Sequence, residues 1–143
     1  MRLVDVNLLL YAYDRTASLH EPAKTWLTAE FNAREPTALS YATVLAFVRI
    51  TTTPRIMREP FDIRTACEIV DEWFRQPSVV LLGPTEQHWP IFRDIAVTSQ
   101  CSAGLVPDAD LAAAALEHGA TLCTNDRDFS RFPKLRVEYP LAP

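Results

Sequence analysis

The segment Arg2-Leu3-Val4-Asp5-Val6-Asn7-Leu8-Leu9-Leu10-Tyr11-Ala12 decides the fold. Arg2–Val6 is a short apolar run of strand type, and Asn7–Asp14 carries Leu8, Leu9, Tyr11 and Ala12 at helical spacing. Nothing but the junction Val6-Asn7 separates the two patterns. A strand that feeds straight into a helix is the opening of a βα unit.

The same alternation continues along the chain. His20–Asn32 places Ala23, Trp26, Leu27 and Phe31 at helical intervals, with Glu21 and Pro22 in its first turn. Thr37–Ser40 follows Pro36 as a second strand. Tyr41–Thr51 reads as a helix between a cap at Ser40 and a stop at Pro54. Phe61–Arg75 is amphipathic, its stripe made of Ile63, Ala66, Cys67, Ile69, Val70, Trp73 and Phe74. Ser78–Leu82 has the apolar run of a buried strand, and Thr85–Ser99 reads as a helix capped by Thr85. After a loop at Gly104, Asp108–His118 is an alanine-rich helix stopped by Gly119. Ala120–Thr124 is a strand, Asn125–Phe132 a polar turn with about one helical turn, and Leu135–Tyr139 a last strand.

Strands separated by helices imply an α/β domain whose mainly parallel sheet is covered by helices on both faces. At 143 residues the chain fits one domain, 1–143, without linkers or repeats. With 48% hydrophobic and 22% charged residues, it has the balance of a globular protein able to bury a core. Cys67, Cys101 and Cys123 are odd in number and far apart, which argues against a disulfide framework or a zinc site. They read as small apolar residues in a reducing cytoplasm. Asp5 and Asn7 interrupt the first apolar run, so it does not form a signal peptide, and no stretch is apolar enough to span a membrane. The expected location is therefore cytoplasmic.

In parallel sheets, ligands bind beyond the carboxyl ends of the strands, where the strand order switches. Carboxylates gather at the positions that should fall there. Asp5 ends the first strand, Asp108 opens the alanine-rich helix, and Asp126 with Asp128 follows the strand at Leu122–Thr124. Each has an ordinary explanation, because Asp108 and Asp5 are good helix caps and Asp126 and Asp128 suit a turn. Jointly they argue for a shared hard-metal site, since Mg²⁺ or Mn²⁺ takes oxygen ligands and can activate water against a phosphodiester. His20, His88 and His118 are isolated and read as surface or packing residues rather than ligands. The formal net charge of −4 runs against nucleic-acid binding. A carboxylate site accounts for part of it, and Arg49, Arg55, Arg58, Arg64, Arg127 and Arg131 are available for a local basic patch. The aromatics Trp26, Phe47, Trp73, Phe74, Trp89 and Phe92 lie on helical stripes and read as core or dimer packing.

Three segments together resemble the PIN-domain nucleases, and within them the VapC-like toxins. They are Leu3-Val4-Asp5-Val6-Asn7, Leu105 to Ala115 around Pro107-Asp108-Ala109-Asp110, and Leu122-Cys123-Thr124-Asn125-Asp126-Arg127-Asp128-Phe129. The resemblance runs the length of the chain. It implies a PIN-like three-layer α/β sandwich and a ribonuclease dependent on Mg²⁺ or Mn²⁺. It also implies homodimerisation and inhibition by a small antitoxin that inserts a peptide near the acidic site. Position by position, Asp5, Asp108 and Asp126 match the family's metal-binding acids and Asp128 a more variable acid beside them. Asn7, Ser40 and Thr124 match polar residues around the metal. One departure stands out, because Ala46 occupies the place of the family's glutamate. Of the neighbours that might replace that acid, Asp128 is favoured over Asp110, which lies two residues from Asp108 and so on nearly the opposite side of its helix. Arg49, three residues beyond Ala46, can contact phosphate or pair with the carboxylates.

Two other functions compete with this one. A phosphohydrolase forming an aspartyl-phosphate on Asp5 would want Asp-x-Asp, and position 7 is Asn7. Alternatively, the loss of the glutamate at Ala46 fits a catalytically weak PIN-fold module that binds RNA or protein.

Overall fold

The computed structural model describes residues 1–143. The elements, in order, are β1 (Arg2–Val4), α1 (Val6–Tyr13), α2 (His20–Phe31), β2 (Thr37–Ser40), α3 (Tyr41–Thr51), α4 (Ile63–Arg75), β3 (Val79–Leu82), α5 (His88–Thr98), α6 (Val106–His118), β4 (Thr121–Cys123) and β5 (Val137–Glu138). Short 3₁₀ turns lie at Ala103–Leu105 and Arg127–Arg131. The five strands form one sheet in the order β3-β2-β1-β4-β5, with every pairing parallel.

Alternation along the strands divides the core. Leu3, Ala38 and Leu122 face one hydrophobic cluster, whereas their chain neighbours Val4, Leu39 and Cys123 face the other. α5 and α6 cover the first face, through residues such as Ile95, Ala109 and Ala112. The helices α1 to α4 cover the second, where Phe47 and Trp73 pack edge to face at 4.6 Å and Trp73 Nε1 donates to Tyr13 Oη at 2.8 Å. This gives the expected three layers, with a parallel sheet buried on both sides.

The structure moves several boundaries. The first helix starts at Val6, because Asp5 turns the chain and its carboxylate accepts the Val6 amide at 2.7 Å. Asp62, absent from the sequence reading as a cap, caps α4 by accepting the Thr65 amide. Thr85 does not open α5; its hydroxyl accepts the Gln87 amide in a turn, and the helix begins at His88. β3 is not a buried strand. It forms an edge of the sheet, with Val80 and Leu81 exposed. The stripe expected on α4 is also narrower: Ala66, Val70 and Trp73 are buried, while Ile63, Cys67 and Phe74 are exposed along its flank. All three cysteines are free, and burial pushes the Cys123 thiol up to about 12, which leaves it unreactive. No helix is long and apolar enough to cross a membrane.

Candidate functional site

β1 has β2 on one side and β4 on the other, and the chain leaves β1 for β2 before returning across the sheet. That reversal is a topological switch point, and the residues just past β1 and β4 sit beside it. Asp5 follows β1 there, and Thr124 to Asp126 follow β4. α6 returns toward the start of β4, so its first turn, with Asp108, lies at the same edge.

Asp5 is buried, at 8% exposure, and is almost fully engaged by the protein. Its Oδ1 accepts the Val6 amide, while its Oδ2 accepts Asn7 Nδ2 at 3.0 Å and the Thr124 hydroxyl at 2.7 Å. Thr124 Oγ1 also accepts Asn7 Nδ2 and the Asp126 amide, and Asn7 Oδ1 accepts the Asn125 amide. The loop after β4 is thereby tied to the end of β1. Burial raises the Asp5 pKa, these hydrogen bonds oppose the rise, and the charge of Asp126 adds to it. A carboxylate held this way is an oriented anion rather than a free nucleophile, which counts against the aspartyl-phosphate alternative.

Asp108 differs in kind. It does not cap its helix, as the sequence suggested; the helix starts earlier, at Val106, with Pro107 in the first turn, and Asp108 lies within that turn. Its carboxylate makes no hydrogen bond to the protein. Partial burial, followed by the charges of Asp126, Asp5 and Asp128, pushes its pKa up to about 6, with Arg131 acting in the opposite direction. Asp126 caps the 3₁₀ turn by accepting the Asp128 amide at 2.9 Å, which leaves its other oxygen free.

The tightest convergence is Asp108, Asp126 and Asp128, each offering a carboxylate oxygen, all within 4.8 Å of one another. The sequence reading named Asp5, Asp108 and Asp126 as metal-binding acids, with Asp128 as a possible fourth. Asp128 joins Asp108 and Asp126 in this group, and Asp5 lines a cavity of about 120 Å³ together with Asp108. Ser40 and Ala46 line the same cavity, so the position without its glutamate does border the acids. Ser40 caps α3 by accepting the Thr43 amide and donates to the Thr43 hydroxyl.

Two expectations change here. Arg49 is exposed and pairs with none of the carboxylates. The arginine near the acids is Arg131, 4.0 Å from Asp128, placed by the 3₁₀ turn that follows Asp126. Asp110 does not point away from the site, because it lines the cavity together with Asp5 and Asp108. One of its oxygens is 2.7 Å from His88 Nε2, and the other His88 nitrogen is 2.7 Å from Glu117. Burial pulls the His88 pKa down, but the bonds to Asp110 and Glu117 and their charges outweigh it and hold the value above the usual one. No local pattern signals this bridge, because His88 lies 22 residues from Asp110 and on another helix.

A model of the PIN domain family matches residues 2–135. The chain is 36% identical over 142 residues to ribonuclease VapC37 of Mycobacterium tuberculosis, covering 99% of each chain. Among solved structures it resembles VapBC2 from Rickettsia felis bound to a promoter DNA fragment. That match has a TM-score of 0.70 at 15% identity and covers 96% of both chains. It also resembles a toxin–antitoxin complex from Klebsiella pneumoniae, with a TM-score of 0.66, 17% identity and 98% of both chains covered.

Proposed function

Because the chain belongs to the PIN domain family, we propose that residues 1–143 act as one domain, the endoribonuclease toxin of a bacterial toxin–antitoxin pair, and that it cleaves RNA with the help of Mg²⁺ or Mn²⁺. One observation carries the metal-dependent part: Asp108, Asp126 and Asp128 bring three carboxylate oxygens within 4.8 Å at the switch point of the sheet.

The donor set suits a hard divalent cation. All three ligand atoms are carboxylate oxygens within 4.8 Å of one another, the donor type that such a cation takes. Asp108 is committed to no other partner; burial first, and then the charges of Asp126, Asp5 and Asp128, raise its pKa, and a cation would relieve that repulsion. Asp108, Asp126 and Asp128 would hold the ion, beside the cavity that Asp5 lines together with Asp108. When bound, the ion supplies an acidified water and neutralises charge developing on the phosphate.

The remaining work falls to the protein. Asn7 and Thr124 orient Asp5 and fix the loop that carries Asp126. Ser40 gives a polar wall to the cavity. Arg131 can hold a phosphate oxygen at the rim of an otherwise negative site. Water would attack phosphorus in line, a new P–O bond forming as the bond to the leaving ribose oxygen breaks, with the water's proton passing to solvent and the leaving oxygen taking one from solvent. No side chain is needed as a separate general base.

A cytoplasmic location, a small antitoxin that covers the acidic edge, and a homodimer complete the reading. The exposed Trp89 and Val97 on α5 supply apolar surface for such contacts. The test is cleavage of total RNA by the purified protein in Mg²⁺, Mn²⁺ or EDTA, beside Asp5→Ala and Asp108→Ala. Discrete products that require the metal and disappear in both variants are expected. Cleavage that survives EDTA or both substitutions overturns the carboxylate mechanism.

A further inference from the structure

A second cleft, of about 240 Å³, lies beside the acidic cavity and shares Ser40, Ala42 and Asp110 with it. This adjacency would put the sugar and base next to a phosphate bound at the carboxylates within reach of the cleft. The volume is below the roughly 300–1,000 Å³ of pockets that enclose drug-sized ligands and suits a group the size of one base.

The lining is chemically divided. Leu82, Pro84 and Ala114 give it apolar walls, and Tyr41, 57% exposed on the first turn of α3, presents a ring beside them. The polar end is Asp110 and Glu117, bridged by His88 at 2.7 Å to each. The Glu117 side chain is nearly inaccessible and also accepts the Thr85 amide, so the array is fixed from behind. His88 uses both ring nitrogens on these carboxylates and has no donor left for a phosphate. What faces a ligand is an acceptor, since Asp110 Oδ2 takes no hydrogen bond from the protein. Acceptors beside an aromatic ring and an apolar slot repel a phosphate. They match the N–H edge and the π-face of a base.

We propose that this cleft is a nucleobase subsite of the ribonuclease, reading the nucleotide next to the cleaved bond and favouring a base with an exocyclic amino group, guanine foremost. Guanine presents two adjacent N–H donors to one carboxylate, whereas uracil presents a single N–H flanked by carbonyls. Tyr41 stacks on the base, Asp110 reads its edge, and His88 with Glu117 positions Asp110. The inference rests on the ribonuclease reading above.

The experiment uses pentauridylates carrying G, A, C or U at the central position. Binding is read by fluorescence anisotropy in Ca²⁺, and cleavage of a randomised oligonucleotide pool is mapped in Mn²⁺. The expected result is tighter binding of the guanine oligomer and enrichment of guanine at one fixed position beside the cut. Tyr41→Ala, at an exposed residue, should weaken the preferred oligomer on the order of 10-fold and the all-uridine one far less. Asp110→Asn keeps an acceptor for His88 but puts an amide donor into the cleft, and should move the preference away from guanine. Equal binding of all four oligomers, or a preference that both variants leave unchanged, overturns the subsite. Base-selective binding without cleavage would overturn the ribonuclease reading and leave the subsite standing. Cleavage with one unaltered sequence preference in all three proteins would do the reverse.

Discussion

The Thr124 hydroxyl donates a 2.7 Å hydrogen bond to Oδ2 of Asp5, joining the residues that follow two neighbouring parallel strands. Thr124 is fully buried, and the same oxygen accepts the amide of Asp126. One hydroxyl thus orients one acid and seats another. Thr124→Val keeps the shape and removes both functions, leaving a part-buried amide without its acceptor. A stability loss of about 1–3 kcal/mol should follow, together with a 10- to 100-fold drop in Mn²⁺ affinity. Thr124→Ser should recover most of both. Thermal melts and calorimetric Mn²⁺ titrations check this; a Val variant with unchanged affinity would show that Asp126 is seated by other contacts.

Asp108 should cost the metal-free protein stability at neutral pH. Its folded-state pKa of about 6 lies above the ordinary carboxylate value of 3.8, so the folded protein holds this proton more tightly than the unfolded chain. Below about 3.8 both states are protonated and nothing is lost. Stability falls as pH rises between 3.8 and 6, and the penalty is complete above 6. Asp108→Asn removes that penalty, and partial exposure of the site limits the gain to roughly 1–2 kcal/mol. In EDTA at pH 7.5 the variant should melt higher than the parent, and the gap should close toward pH 4. Saturating Mn²⁺ should reverse the order, because only the parent gains from binding the ion. An Asn variant that melts lower in EDTA would contradict the repulsive arrangement.

The sequence carried the fold because its signals were local. The passage from Leu3-Val4 to Leu8-Leu9, the Ser40 cap and the Gly119 stop each lie within one turn of what they control. Errors came where a neighbour in space decides. The apolar composition of β3 is that of an inner strand, yet it pairs only with β2 and leaves Val80 and Leu81 in solvent. Asp108 resembled a cap because a short acidic side chain satisfies the free amides of a first turn, and the 3₁₀ turn at Ala103–Leu105 that leads into the helix left no pattern of its own. The acids were legible as a group, but not which three draw together. That depends on the 3₁₀ turn that swings Asp128 back toward Asp108. Asp110 was misplaced by helix geometry alone, since an angular separation on α6 does not exclude two residues from one open cavity.

Gly119 ends α6 at φ 63° and ψ 27°, the left-handed region, and its amide bonds back to Ala115 and Leu116. A Cβ there would meet nothing within 4 Å, so the cost of Gly119→Ala is backbone strain alone, about 1 kcal/mol. A fall in Tm of roughly 2–4 °C is expected for a chain of this size, with Gly119→Asn losing less. Cleavage by the folded variant should be unchanged, because Asp108 lies at the other end of the helix. A loss of activity at temperatures well below Tm would mean that this helix end matters to the site.

Ala46 offers the most direct test of how the acids divide their work. It is partly buried and lines the cavity with Asp5, Asp108 and Ser40. Ala46→Glu would place a further carboxylate on that wall. Without metal, the added charge faces Asp5 and Asp108 and should lower stability by about 1 kcal/mol or more, in proportion to the salt sensitivity of the melt. With Mn²⁺, the extra oxygen ligand should raise affinity by about 10-fold or more, and the destabilisation should turn into a gain as the ion is titrated in. If affinity rises and cleavage rises with it, the natural chain works with an incomplete ligand set. If affinity rises and cleavage does not, the carboxylates already present suffice for the chemistry, and the space left by Ala46 serves the passage of substrate. A fall in both affinity and stability would mean that the wall at Ala46 has no room for a side chain that reaches the ion.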